Sequence, residues 1–219
     1  MADAPLSAIV LAGGRSSRMG ADKRRIELRG RTLLHRAVGT LRLLSTDIII
    51  TVHDDSAVDG DLRTVRDEVP GRGPLGGILT GLRHIRHSHA LVVPVDMPLL
   101  TVRFLSHLSQ ASLGWDVTVP RWTAGIEPLV GVYAARCVGP LERFLAGPSA
   151  AARDFVRSME PAVRYVEEGE IRRIGDPAAL FFNINTPGDV QEVTRLLRRS
   201  APSAAPSWFG PEGPPDERA

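Results

Sequence analysis

Short apolar runs that alternate with helix-period segments along the chain set the strongest limit on what it can fold into. SAIVLA (7–12), DIIITV (47–52), LRTVRD (62–67) and ALVVPV (90–95) read as strands, with RTLLHRAVGTLRLL (31–44) and PLGGILTGLRHIR (74–86) as helices between them. Strands joined by crossover helices lie parallel, so the expected fold is α/β with a doubly wound, mostly parallel sheet. TVRFLSHLSQAS (101–112) predicts a further helix, and DVTVP (116–120), PLVGVYAA (128–135) and VRYVEE (163–168) predict strands. The stretch 138–160 reads as helix broken by Gly139, Pro140, Gly147 and Pro148. Pro187 suits the first turn of a last helix, PGDVQEVTRLLRR, with Thr186 as its N-cap.

A length of 219 residues supports one good core, so one domain over 1–199 is expected. The segment 200–219, rich in Pro, Ala, Ser and Gly, predicts a flexible tail. Apolar runs such as ALVVPV fall far short of the ~18 residues needed to span a bilayer, so no membrane partner is expected. Asp3 stands where a secretion signal would carry basic residues, and the single Cys137 cannot form an internal disulfide. The expected location is the cytosol.

Of 27 basic residues only one, Lys23, is lysine, and it lies in AGGRSSRMGADK just after the first strand. In a chain whose other cations are all arginine, one lysine is either a solvated residue left by chance or kept where a planar fork does not serve; the neighbouring glycines and arginines favour the second, since a compact point charge suits a phosphate in a confined pocket. Arg15, Arg18, Arg24, Arg25, Arg29, Arg31 and Arg36 crowd the same region against only Asp22 and Glu27, which marks an anionic ligand. With no aromatic residue among these cations, a nucleic acid is not expected. Ligands of open α/β sheets bind beyond the carboxyl ends of the strands, where this loop sits. Gly13 and Gly14 let backbone N–H groups approach an anion, and Arg15, Arg18 and Lys23 add charge. The spacing fits neither a Walker A loop, since Gly20 is followed by Ala21 and Asp22, nor a GxGxxG fingerprint.

Three further places carry candidate chemistry. VVPVDMP puts Asp96 past the end of a buried strand, where it can be an Mg²⁺ ligand or a turn aspartate. RDEVPGRGPLGGILTGL puts Asp67 at a strand end, then Gly73, Gly76 and Gly77 at a helix start, able to admit a flat base or to pack closely on the sheet; Gly81 fits packing. FFNINTPGD places Asn183 and Asn185 on one face at the end of a late strand, where two amides can bind a heterocycle or phosphate or simply form a turn. His84, His87 and His89 lack carboxylates or Cys at ligand spacing and fit a solvated surface; Cys137 fits a structural role.

Taken in order, LAGGRSSRMGADK, GPLGGILTGL, VPVDMP, EPLVGVY and FFNINTPGD resemble the molybdenum cofactor guanylyltransferase family of nucleotidyltransferases, over roughly 6–198. The resemblance implies a Rossmann-like, three-layer α/β/α fold of the nucleotide-diphospho-sugar transferase type. It also implies Mg²⁺-dependent transfer of GMP from GTP to the terminal phosphate of molybdopterin, or its molybdenum-loaded form, releasing pyrophosphate. By that resemblance Leu11, Ala12, Gly13 and Gly14 with the GPLGG segment surround guanine and ribose, and Arg15, Arg18 and Lys23 hold phosphates. Asp96 carries the metal, Asp67 supports the nucleotide, and Asn183 and Asn185 face the pterin. His53 stands where many members carry a nucleotide-contacting asparagine, and Val95 where many carry cysteine. Proteins that deliver molybdopterin or receive the cofactor are implied as partners. Cytidylyl transfer, another small-phosphate nucleotidyl transfer and a non-catalytic nucleotide-binding regulator are the alternatives.

Overall fold

The computed structural model describes residues 5–13, 22–53 and 62–199. Seven strands form the path of one sheet: β1 (Ser7–Leu11), β4 (Asp47–Val52), β5 (Thr64–Arg66), β6 (His89–Pro94), β7 (Val117–Trp122), β9 (Gly131–Ala134) and β10 (Val163–Glu167). Their order is β10-β7-β9-β6-β1-β4-β5, with a short β8 (Gly125–Ile126) on β7, and β2 (Glu27–Leu28) and β3 (Arg31–Thr32) form a separate hairpin. β1 pairs parallel with β4 and β6, β4 with β5, and β7 with β10. β9 alone runs antiparallel between β6 and β7. The eight residues that separate β7 from β9 are too few for a parallel crossover, which needs a dozen or more.

Both faces of the sheet are covered, which is why its strands read as continuous apolar runs. In β1, Ala8 and Val10 pack with α1 (Leu33–Leu41), α3 (Val102–Ala111) and α8 (Pro187–Arg199). Ile9 and Leu11, one residue out of phase, pack with α2 (Pro74–His84), α4 (Val138–Ala146) and α5 (Ala152–Ser158). Leu91 and Val93 of β6 face the first set while Ala90 and Val92 face the second. The α6 (Glu168–Arg172) and α7 (Pro177–Leu180) turns complete the first layer with Ile171 and Leu180. The α/β, doubly wound expectation matches this architecture.

Local chemistry sets the helix boundaries. Thr32 and Thr101 accept hydrogen bonds from the amides of His35 and Phe104, three residues into α1 and α3. Gly73, at φ 61°, turns the chain into α2 in a conformation that a side chain disfavours, with Pro74 opening the helix. Pro140 and Gly139 do not break α4: they occupy its first turn, where a missing N–H leaves no bond unmade, and the break falls at Gly147.

Two expectations need correction. FFNIN forms no strand; Phe181 closes the α7 turn and residues 182–185 are irregular, tied to the segment after β6 by the Ile184 amide on the Asp96 carbonyl at 2.9 Å. The helix expected from Arg31 begins at Leu33, because Arg31 and Thr32 pair with Leu28 and Glu27. The proposed tail, 200–219, lies outside the described residues.

A buried carboxylate clamps the other edge. Asp47, 4% exposed, accepts from Ser7 Oγ at 2.6 Å, the Arg86 amide at 2.9 Å and Arg63 Nη1 at 3.0 Å. Burial alone would raise its pKa; the Ser7 hydroxyl, the Arg86 amide and the two guanidinium charges outweigh burial and hold it below the ordinary 3.8. A carboxyl depressed in the folded state adds stability that is present above its unfolded pKa and lost as pH falls through the folded one. Asp47→Asn is therefore expected to flatten the acid limb of a stability-versus-pH curve below about pH 4, measured by urea unfolding. Gly81 gives a second test: a Cβ there would lie 2.7 to 2.9 Å from Ile9 side-chain atoms. Gly81→Ala should cost ~1–3 kcal/mol, whereas Gly39→Ala, with nothing within 4 Å of the new methyl, should gain ~0.5–1 kcal/mol in the same denaturant titration.

Candidate active site

All the parallel strands leave the sheet at one edge, and backbone bonds extend the ladder past their ends. The Ala12 amide donates to Thr51 O at 2.9 Å, Val95 to Leu11 O at 3.1 Å, and Asp67 to Val52 O at 2.7 Å. These bonds fix Gly13, His53, Asp67 and Asp96 relative to one another. Two clusters result.

The first surrounds a cleft of about 210 Å³ flanked by Leu11, Gly13, His53, Asp67, Gly73 and Gly77. His53 lies with its ring on Gly13; a Cβ at Gly13 would sit 2.8 Å from His53 Cδ2. His53 Nδ1 is 3.1 Å from Asp67 Oδ2, without the geometry of a hydrogen bond. Asp67 Oδ1 accepts from the Val69 amide at 2.9 Å and Thr80 Oγ1 at 3.3 Å, so Oδ2 is left without a hydrogen-bond partner among the described residues. A nearly buried carboxylate oxygen in that state is unusual in a purely structural role. Gly76 is buried and acts on Asp67: its own Cβ would lie 3.0 Å from both carboxylate oxygens and 2.8 Å from Val69 O. Gly77 packs on Thr51 and Leu11 and also borders the cleft.

The second cluster centres on the single lysine. Lys23 Nζ donates to Asp96 Oδ2 at 2.8 Å and to Asn185 Oδ1 at 2.9 Å. Asp22 starts the 3-10 turn that carries Lys23, accepting from the Arg24 amide at 3.0 Å. The Arg24 guanidinium beside it lowers the Asp22 pKa against the effect of burial. Asn183 and Asn185 are exposed and flank buried Ile184. Gly14, Arg15 and Arg18 lie outside the described residues.

Asp189, a residue not singled out from the sequence, holds this segment in place. Its Oδ2 accepts from the amides of Asn185 at 2.8 Å and Thr186 at 2.7 Å, while Thr186 Oγ1 accepts from the Asp189 amide at 3.2 Å. Those amide bonds, Asn185 first, with the Thr186 hydroxyl and the Lys23 charge, hold its pKa below the ordinary carboxylate value. The signal was present as TPGD, a Thr followed three residues later by an acid at a helix start.

His84, His87, His89 and Cys137 are in neither cluster. His84 Nε2 lies 2.8 Å from Glu68 Oε1 on the surface, and no group of three or more His, Cys, Asp or Glu able to hold a metal ion occurs among the described residues. Cys137 is fully buried.

A mostly parallel sheet with glycines, a lysine and two aspartates at the carboxyl edge of its strands has the layout of a Rossmann-like ligand-binding fold. The family described as the MobA-like NTP transferase domain matches residues 8–163. The chain belongs to this family of nucleotidyltransferases. A protein named "Probable molybdenum cofactor guanylyltransferase", from Pelotomaculum thermopropionicum, is 34% identical over 88% of this chain and 93% of its own length. One named "Molybdenum cofactor guanylyltransferase", from Rhizobium meliloti, is 35% identical over 87% and 91%. The crystal structure of molybdopterin-guanine dinucleotide biosynthesis protein A from Archaeoglobus fulgidus shares the fold, with a TM-score of 0.76 and 24% identity over 89% of this chain and all of that one. No described helix is long and apolar enough to cross a membrane.

Burial first, then the nearby Asp116 charge, pushes the Cys137 thiol up to about 12. The thiolate is then scarce at any ordinary pH. Cys137 in the folded protein should stay unreactive toward an aromatic disulfide reagent at pH 8 and react with one equivalent in denaturant; rapid reaction of the native protein would contradict its burial.

Proposed function

We propose that this chain transfers GMP from GTP to the terminal phosphate of molybdopterin, giving the guanine dinucleotide form of the cofactor and pyrophosphate. The observation that carries the reading is the convergence of Lys23, Asp96 and Asn185 on one point at the strand edge, in a chain whose curated relatives bear the guanylyltransferase name. The nucleotide base and ribose occupy the cleft between Gly13, His53, Asp67 and Gly77, on the Leu11–Ala12 side. The phosphates then run toward Lys23, with Arg15 and Arg18 of the same loop adding charge. Asn183 and Asn185 face the acceptor.

An oxygen of the molybdopterin phosphate attacks the α-phosphorus of GTP, and the bond from that phosphorus to the bridging oxygen of pyrophosphate breaks. The acceptor supplies the nucleophile, so the protein's work is alignment and neutralisation of charge on the leaving group. Lys23 supplies a mobile positive charge for that purpose. The donor fits Mg²⁺: Asp96 offers a carboxylate, a hard donor of the kind Mg²⁺ takes alongside phosphate oxygens and water. Bound there, Mg²⁺ would act as a Lewis acid on the phosphoryl oxygens. The reaction belongs in the cytosol, with a protein that delivers molybdopterin or receives the product as its partner.

The purified protein is expected to release pyrophosphate with GTP, Mg²⁺ and molybdopterin together, and not when any one is omitted. Release with CTP in place of GTP would assign cytidylyl transfer instead, and no release with either would leave nucleotide binding alone. Lys23→Arg and Asp96→Ala should each lower turnover ~100-fold or more while the circular dichroism spectrum is unchanged.

A further inference from the structure

The contacts of Lys23 give it two tasks that cannot be met at once. Its ammonium neutralises Asp96 at 2.8 Å, and the two side chains are only 19% and 21% exposed. Yet the same ammonium is the charge placed to meet a triphosphate, and the same carboxylate is the donor placed to meet a divalent cation. A cation approaching Asp96 alone would find one of its oxygens taken and a positive charge a few ångströms away, in a site that water screens incompletely. Among the described residues no cluster of acids or histidines compensates. A triphosphate changes both terms: its oxygens complete the coordination of the metal, and its charge draws the ammonium from the carboxylate.

On the nucleotidyl-transfer reading above, we propose that Lys23 is the resting counter-ion of Asp96, excluding divalent metal from the free enzyme and admitting it only together with a nucleoside triphosphate. The exchange also frees Asn185 Oδ1, which Lys23 holds at 2.9 Å. The Asn185 backbone stays in place, pinned by Asp189 at 2.8 Å, so that only its amide side chain is released.

Lys23 is the chain's single lysine, so carbon-13 lysine labelling gives one ε-methylene signal from the unaltered protein. Millimolar Mg²⁺ alone should leave that signal in place, and Mg²⁺ with a non-hydrolysable GTP analogue should shift it. Electron paramagnetic resonance of free Mn²⁺, used as the probe metal without nucleotide, should show Lys23→Gln binding at least tenfold tighter than wild type. Lys23→Arg should stay as weak as wild type, and Asp96→Asn added to Lys23→Gln should remove the gain. A wild-type signal that moves with Mg²⁺ alone, or that Mg²⁺ and nucleotide leave unmoved, overturns the proposal, as does equal Mn²⁺ affinity in wild type and Lys23→Gln. The labelled wild type decides the matter even if the variants fold poorly. No acceptor or turnover enters these measurements, so a wrong acceptor would fail the pyrophosphate assay and leave them intact.

Discussion

Parallel strands must all leave a sheet at the same edge, and the site depends on that constraint. β1, β4, β5 and β6 end side by side, and the ladder continues for one more bond between β6 and β1, β1 and β4, and β4 and β5, at 2.7 to 3.1 Å. Residues from four separate parts of the chain are thereby held without any loop having to be rigid by itself. Lys23 closes the arrangement: it joins Asp96, 73 positions away, to Asn185, 162 positions away. Desolvation offsets part of the attraction in an ion pair this sheltered, and its value here is chiefly geometric.

Two buried aspartates show how one chemical group serves opposite ends. Asp47 and Asp67 are 4% and 5% exposed, so burial does not separate them. Asp47 has both oxygens bonded, by a hydroxyl, an amide and a guanidinium, and it locks the amino-terminal edge of the sheet. Asp67 keeps one oxygen without a hydrogen bond among the described residues, beside His53 and the cleft. An unsatisfied buried oxygen is destabilising, and a fold retains it where something other than the fold makes use of it.

Legibility from sequence followed the range of the forces concerned. Strands covered on both faces read as unbroken apolar runs, and helices with one buried stripe read by their period, so the order of elements was accessible. The β2–β3 hairpin was not: with two residues per strand it offers no periodicity. FFNIN carried a strand's alternation because Ile184 is buried between exposed neighbours, but alternation records burial and not pairing. Gly139 and Pro140 looked like breakers because their meaning depends on which turn of the helix they occupy.

The sequence by itself determined the fold class, the loop after β1, the singular lysine and the candidate carboxylates, because each depends on residue type and short-range spacing. Tertiary structure alone decided that Lys23 rests on Asp96 and Asn185, that the Asp67 carboxylate sits under His53 with Gly76 behind it, and that β9 runs against its neighbours. Those are contacts between segments distant along the chain, and local propensity contains no record of which distant group arrives at a given strand end. Crossover topology supplies it, by bringing every parallel strand to the same edge.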